Sequence, residues 1–263
     1  MKSCKLHSLI FLALAGISVG GYASASSPGN DTAPAAPVKN IILVHGLFAD
    51  ASSWSGVIPV LQARGLKVTA VQNPTTSLQD DVAAVRRAIA LQKGPVILVA
   101  HSYGGMVISE AGNDPKVRGL VYVAARAPAA GEDYTALTRK FTPAPASAGI
   151  KWTGDYGQLT EDAFVHDFAG DLPLKQAQVL YAVQQPMGRA VTLGRTTEAA
   201  WQHKPVYYAV STQDRTISPD LERFMAKRMK AYTIELKASH LSLISQPEAV
   251  AGLILRATHA DEK

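Results

Sequence analysis

Short, nearly unbroken runs of apolar residues recur along the chain, and most are followed by a stretch whose apolar residues lie three or four apart. The runs are Asn40 to Val44, Pro95 to Ala100, a segment around Gly119 to Ala124, and Val206 to Ser211, and Lys67 to Val71 and Tyr232 to Leu236, where polar residues interrupt the apolar ones, are read as two further strands. Continuous apolar runs of this length suit strands buried on both faces, as in a parallel sheet. Helical spacing covers Ser53 to Arg64, stopped by Gly65, and resumes from Ser77 to about Leu91. Ser77-Leu78-Gln79-Asp80 resembles a capping box. Further helices are expected from Tyr103, over Pro219 to Lys230 with Ser218 placed to cap it, and from Ser245–Glu248 toward Ala257. Strand–helix alternation of this kind predicts an α/β fold with a doubly wound, mostly parallel sheet.

The rhythm breaks over residues 128–202. No strand pattern stands out there, yet the segment holds Tyr134, Phe141, Trp152, Tyr156, Phe164, Phe168, Tyr181 and Trp201, eight of the 18 aromatics. A stretch this long is no ordinary crossover. The expectation is a helical cap inserted into a core made of residues 39–127 and 203–263, placed over the ligand crevice at the carboxyl ends of the strands.

At the start of the chain Lys2 and Lys5 precede an apolar run from Leu9 to Val19, and Ala23-Ser24-Ala25 supplies small residues. That is the pattern of a secretory signal peptide over residues 1–25, cleaved after Ala25. The apolar run is too short to cross about 30 Å of hydrocarbon comfortably. Residues 26–38, rich in Ser, Ala and Pro, read as a flexible linker. The expected product is an exported protein, periplasmic or secreted, with no stable membrane span after cleavage.

Composition adds exclusions. With 47% hydrophobic and 18% charged residues the chain is globular, and at 263 residues it can bury a core without disulfides. The only cysteine, Cys4, lies in the expected signal peptide, so neither a disulfide within the chain nor a Cys-based metal site is available. The net charge of +5 is scattered. Its densest run, Arg223 to Lys230, reads as a solvated helix face, so no nucleic-acid partner is expected.

The candidate chemistry begins between a strand and a helix, at Ala100-His101-Ser102-Tyr103-Gly104. This is a small-x-Ser-x-small form of the nucleophile elbow, in which a sharp turn lifts the serine hydroxyl above the sheet edge. The amide after the serine, that of Tyr103, lies at a helix N-terminus and can bind an oxyanion. Serine needs a base, and the base an orienting carboxylate. Asp214 follows the Val206 strand and His240 follows the last strand, which completes the chain order Ser102, Asp214, His240. His45, His101, His166, His203 and His259 do not hold that position, and Glu132 and Asp133 follow an earlier strand. His45-Gly46-Leu47-Phe48 follows the first strand, where the Leu47 amide can act as the second oxyanion donor.

The segment His45 to Trp54 (H-G-L-F-A-D-A-S-S-W), the elbow Val99 to Gly105, Asp214 and Ala238-Ser239-His240 together resemble the α/β-hydrolase superfamily, over about Lys39 to Ala257. The nearest likeness is to its small-molecule esterase branch, which includes salicylate-type methylesterases and hydroxynitrile lyases. One departure is Ala100, where glycine is commoner. The resemblance implies hydrolysis of small-molecule carboxylic esters, apolar or aromatic, through an acyl-enzyme and without cofactor or metal. Lactonase, amidase and perhydrolase activity share the same residues, and hormone receptors on this fold bind ligands without turnover. The lyases of the branch carry threonine after the first-loop histidine and lysine after the catalytic histidine. Here those positions are Gly46 and Leu241.

Overall fold

The computed structural model describes residues 38–259. The expected signal peptide and all but the last residue of the expected linker lie outside them. Val38 is not linker: its side chain is buried and its amide donates to the Thr258 carbonyl (2.9 Å), tying the two ends of the described chain together.

The core elements follow in chain order: β1 (Asn40–Val44), α1 (Val57–Ala63), β2 (Lys67–Val71), α2 (Leu78–Ala90), β3 (Val96–His101), α3 (Gly104–Ala111) and β4 (Val117–Val123). The chain then enters the insertion and returns at β8 (Val206–Ser211), α8 (Pro219–Arg228), β9 (Tyr232–Leu236), α9 (Ser242–Ser245) and α10 (Pro247–Ala257). One six-stranded, all-parallel sheet results, in the order β2-β1-β3-β4-β8-β9. Helices flank it, with α1 against α10 and α2 against α3. Every residue of β3 and β8 is buried, as the unbroken apolar runs require, whereas the edge strands β2 and β9 are largely open.

Local chemistry sets the element ends. Ser77 Oγ accepts the Asp80 amide at the start of α2, as its sequence suggested. Ser218 makes no such side-chain bond. Pro219 at the first turn of α8 removes one of the unpaired amides, and the Ser218 carbonyl takes the Glu222 amide instead. The expected helix from Ser53 is split into a 3-10 turn at Ala51–Trp54, capped by Asp50, and α1.

The insertion is mixed rather than purely helical. Besides α4 (Tyr134–Thr138), α5 (Glu161–Ala163), α6 (Leu174–Ala182) and α7 (Arg189–Leu193), it carries β5 (Ile150–Thr153), β6 (Tyr156–Leu159) and β7 (Met187–Gly188). These strands form a small antiparallel sheet that the sequence did not announce. They are only two to four residues long; β5 is mostly exposed, β6 alternates exposed and buried residues, and β7 is buried. A π-helical turn spans Phe164–Phe168, directly after α5. The insertion leaves after β4 and returns at β8, which are neighbours in the sheet and pair from Leu120–Val206 to Val123–Ala209.

Candidate active site

Ser102 sits on the turn from β3 into α3 with φ +54°, the left-handed region that a non-glycine residue enters at a cost of order 1–3 kcal/mol. The end of β4 holds the strain. The Ser102 amide donates to the Val123 carbonyl (3.2 Å), and its carbonyl accepts the amides of Arg126 (2.9 Å) and Gly105 (3.0 Å). The turn also demands small neighbours. A Cβ on Gly105 would lie 2.2 Å from the Arg126 carbonyl oxygen, and one on Gly46 would lie 2.6 Å from Ser102 Cβ. Gly46 therefore brings the loop after β1 directly against the elbow.

The three residues that the sequence singled out meet. His240 Nδ1 lies 2.5 Å from Asp214 Oδ2, and His240 Nε2 lies 2.8 Å from Ser102 Oγ. A carboxylate only accepts, so Nδ1 carries the proton and Nε2 is left to accept the serine hydroxyl. The other Asp214 oxygen, Oδ1, accepts the amides of Thr216 (2.6 Å) and Ile217 (2.9 Å), which lock its plane. His240 is fully buried and Ser102 is 3% exposed. Leu47 and Tyr103 are buried too, and neither amide has a hydrogen-bond acceptor among the described residues. A buried N–H without a partner is expensive unless it serves a ligand.

The competing residues have other work. His101 Nε2 donates to the His240 carbonyl (3.0 Å), and its ring lies 4.6 Å from the His240 ring. Burial, followed by the neighbouring His240, pushes the His101 pKa well down and keeps it neutral. His45 is buried, bonds the Gly46 carbonyl (2.8 Å) and is held neutral chiefly by that burial. His166 pairs with Asp162 on the surface. Glu132 binds Arg228, and Asp133 caps α4 and binds Arg195.

Several neighbours carry no signature in the sequence. The Phe168 ring packs on His240 (centroids 5.1 Å apart), Phe164 (4.9 Å) and Phe48 (6.2 Å). It covers His240 from the insertion side. Two polar links fasten this roof: Arg215, next to Asp214, binds Asp167 (2.7 Å), and Ser239, next to His240, donates to Asp171. Beside the roof runs a narrow crevice lined by Phe48, Phe164, Phe168, Leu180, Val183, Leu241 and Ile244, with Asp50, Ser52 and Ser53 at one side. Beneath the elbow, the Tyr103 hydroxyl donates to Asp81 of α2 (2.7 Å). A second buried carboxyl, Glu222 of α8, faces Asp214.

A parallel sheet with a strained serine at the end of a central strand, and a histidine and aspartate on later loops, defines a hydrolase architecture. The alpha/beta hydrolase family model matches residues 41–253, and the chain belongs to that family. It is 28% identical over 253 residues to the pyrethroid hydrolase of Sphingobium wenxiniae, covering 82% of this chain and 86% of that protein. It is 24% identical over 242 residues to methylesterase 8 of Arabidopsis thaliana, covering 82% of this chain and 88% of that protein. Its fold superimposes on a crystal structure of a pyrethroid hydrolase with a TM-score of 0.71 at 24% identity, over 86% of this chain and 99% of the other.

Proposed function

We propose that this protein is an exported serine esterase that cleaves carboxylic esters of small apolar or aromatic molecules. The observation that carries the reading is the buried chain Ser102 Oγ–His240 Nε2, His240 Nδ1–Asp214 Oδ2, built on a left-handed serine. His240 takes the serine proton as Oγ attacks the ester carbonyl, and Asp214 steadies the imidazolium. The Leu47 and Tyr103 amides stabilise the oxyanion, each typically worth about 10²–10³ in rate. His240 then returns the proton to the departing alkoxide. A water, deprotonated by His240, attacks the acyl-enzyme, releasing the acid and restoring Ser102. Apolar preference is supported by the aromatic rings gathered at His240, where Phe168 packs on the imidazole and on Phe164 and Phe48, and by relatives named as a pyrethroid hydrolase and a methylesterase.

Cyanohydrin cleavage is not part of this reading. A cyanide anion leaving beside Leu241 would have no cation to meet it, and an unpaired charge in a desolvated site costs several kcal/mol. A threonine side chain at position 46 would also collide with Ser102 Cβ.

A screen of p-nitrophenyl, aryl and methyl esters tests the activity, with mandelonitrile as the lyase control. Hydrolysis with no cyanide release is expected. Ser102→Ala and His240→Ala should each lower kcat by roughly 10³ or more, with a smaller loss for Asp214→Asn. A Ser102→Ala variant that keeps most of its rate overturns the assignment, and a folded wild type that binds small esters without turnover favours a ligand-binding role. Export rests on the pattern of residues 1–25, and mass analysis of the processed chain should find Ser26 at its start.

A further inference from the structure

Glu222 is the fourth residue of α8 and fully buried, whereas Asp220 in the same turn is exposed. Acids are almost never buried this deeply without a partner. Among the described residues no basic side chain forms an ion pair with it. Arg223, its neighbour, is held by Glu235 (2.8 Å) and Asp220 (3.0 Å), and Arg228 by Glu132 (3.0 Å). Arg126 stands over the Tyr134 and Tyr103 rings. One carboxyl oxygen, Oε2, accepts the Ser211 amide (3.0 Å) at the end of β8. The other, Oε1, has no hydrogen-bond partner among the described residues, and the Asp214 carboxyl lies beside the Glu222 side chain.

The Asp214 carboxylate offers about four lone-pair sites. Thr216 and Ile217 fill two on Oδ1, and His240 fills one on Oδ2. One site remains. Two adjacent buried carboxyls do not both ionise. Asp214 has three N–H donors and Glu222 has one, so the negative charge belongs on Asp214 and the proton on Glu222. We propose that Glu222 is a positioning residue for Asp214: a neutral carboxylic acid that accepts the Ser211 amide and donates its proton to the remaining lone pair of Asp214. The inference rests on the Ser102–His240–Asp214 reading above.

The surroundings agree. Burial, followed by the neighbouring Asp214, pushes the Glu222 pKa well above the carboxylate range. The other titratable groups that face it are the phenols of Tyr134 and Tyr208, both buried and both raised above the usual tyrosine value. Neither competes for the proton near neutrality. An ionised Glu222 would push Asp214 from its place and put a second negative charge behind the imidazole.

Glutamine is the isosteric test. Its amide oxygen accepts the Ser211 amide and its NH₂ donates to Asp214, without a titrating proton. The readouts are the rate at which a fluorophosphonate labels Ser102, which needs no natural substrate, and kcat for p-nitrophenyl acetate from pH 6 to 10. Glu222→Gln should stay within about threefold of wild type, while Glu222→Ala, which frees Asp214 to move, should label and turn over about tenfold to hundredfold more slowly with little change in KM. Glu222→Gln, which cannot ionise, should keep at least the wild type's relative activity toward the alkaline end. A Gln variant as slow as Ala, a folded Ala variant at wild-type rate, or a Gln variant that loses activity at lower pH than the wild type would each overturn the proposal. If Ala does not fold, the Gln rate and pH profile decide. A wild type that takes no label overturns the Ser–His–Asp reading and this proposal together, whereas a labelled wild type with a slow Gln variant overturns this proposal alone.

Discussion

Replacing Asp81 by asparagine should make the protein more stable at neutral pH, although it removes a charge that accepts two short hydrogen bonds. Asp81 lies on the buried face of α2, with Oδ1 on the Thr75 amide and Oδ2 on the Tyr103 hydroxyl, both at 2.7 Å. Burial outweighs these bonds and raises its pKa from 3.8 to about 6. The folded protein therefore holds this proton more tightly than the unfolded chain does. The contribution of the neutral carboxyl is complete below about pH 3.8 and is lost as the pH rises through about 6. The gap of about two pKa units corresponds to about 3 kcal/mol. The substituted side chain stays neutral throughout. Its amide oxygen accepts the Thr75 N–H, and its NH₂ donates to the Tyr103 oxygen. Urea unfolding of both proteins at several pH values between 4 and 8 measures the difference. It should be near zero at pH 4 and grow to about 2–3 kcal/mol in favour of Asp81→Asn at pH 7.5. At about 2–4 °C per kcal/mol for a domain of this size, the gain in Tm should be several degrees. A constant offset across the range, or one that shrinks with rising pH, refutes the reasoning.

Phe168→Ala should lose about 3–5 kcal/mol of stability, the usual cost of emptying a buried aromatic site. It should also raise the ratio of kcat/KM for p-nitrophenyl octanoate over acetate, because the ring roofs His240, and an unchanged ratio would show that Phe168 does not restrict the site. Gly105→Ala should lose about 1–3 kcal/mol in thermal or urea unfolding, since its Cβ meets the Arg126 carbonyl oxygen at 2.2 Å. Gly252→Ala, mid-helix in α10 with nothing within 4 Å of the new Cβ, should gain about 0.5–1 kcal/mol in the same assay.

What could be read from the sequence follows from burial. The strands β1, β3, β4 and β8 are covered on both faces, so their residues are apolar with little interruption and their positions were legible to within a few residues. The order of Ser102, Asp214 and His240 was legible because each follows a strand of that sheet. The small sheet of the insertion was not. Its hairpin turns at Gly154-Asp155, with Gly154 at φ +58°, and that dipeptide between Trp152-Thr153 and Tyr156 was the signal available. The flanking strands, four residues each, were too short to support it. Phe168 was one aromatic among eight in its segment, and only the π-helical turn decides which ring meets His240. Glu222 reads as an ordinary acid in the first turn of a charged helix. Its burial comes from the packing of α8 against β8, a contact that spacing along the chain does not reveal.

The attachment of the insertion has a consequence for how this enzyme changes over generations. β4 and β8 pair with each other directly, so the long excursion between them contributes nothing to closing the sheet. Ser102, Asp214, His240, Leu47 and Tyr103 all lie outside it. The linked residues Ser102, His240 and Asp214 and the rings that roof them thus occupy separate stretches of chain. A lineage can lengthen, shorten or rewrite much of the insertion without touching the sheet, so long as Phe168 and the ties to Arg215 and Ser239 are kept or replaced.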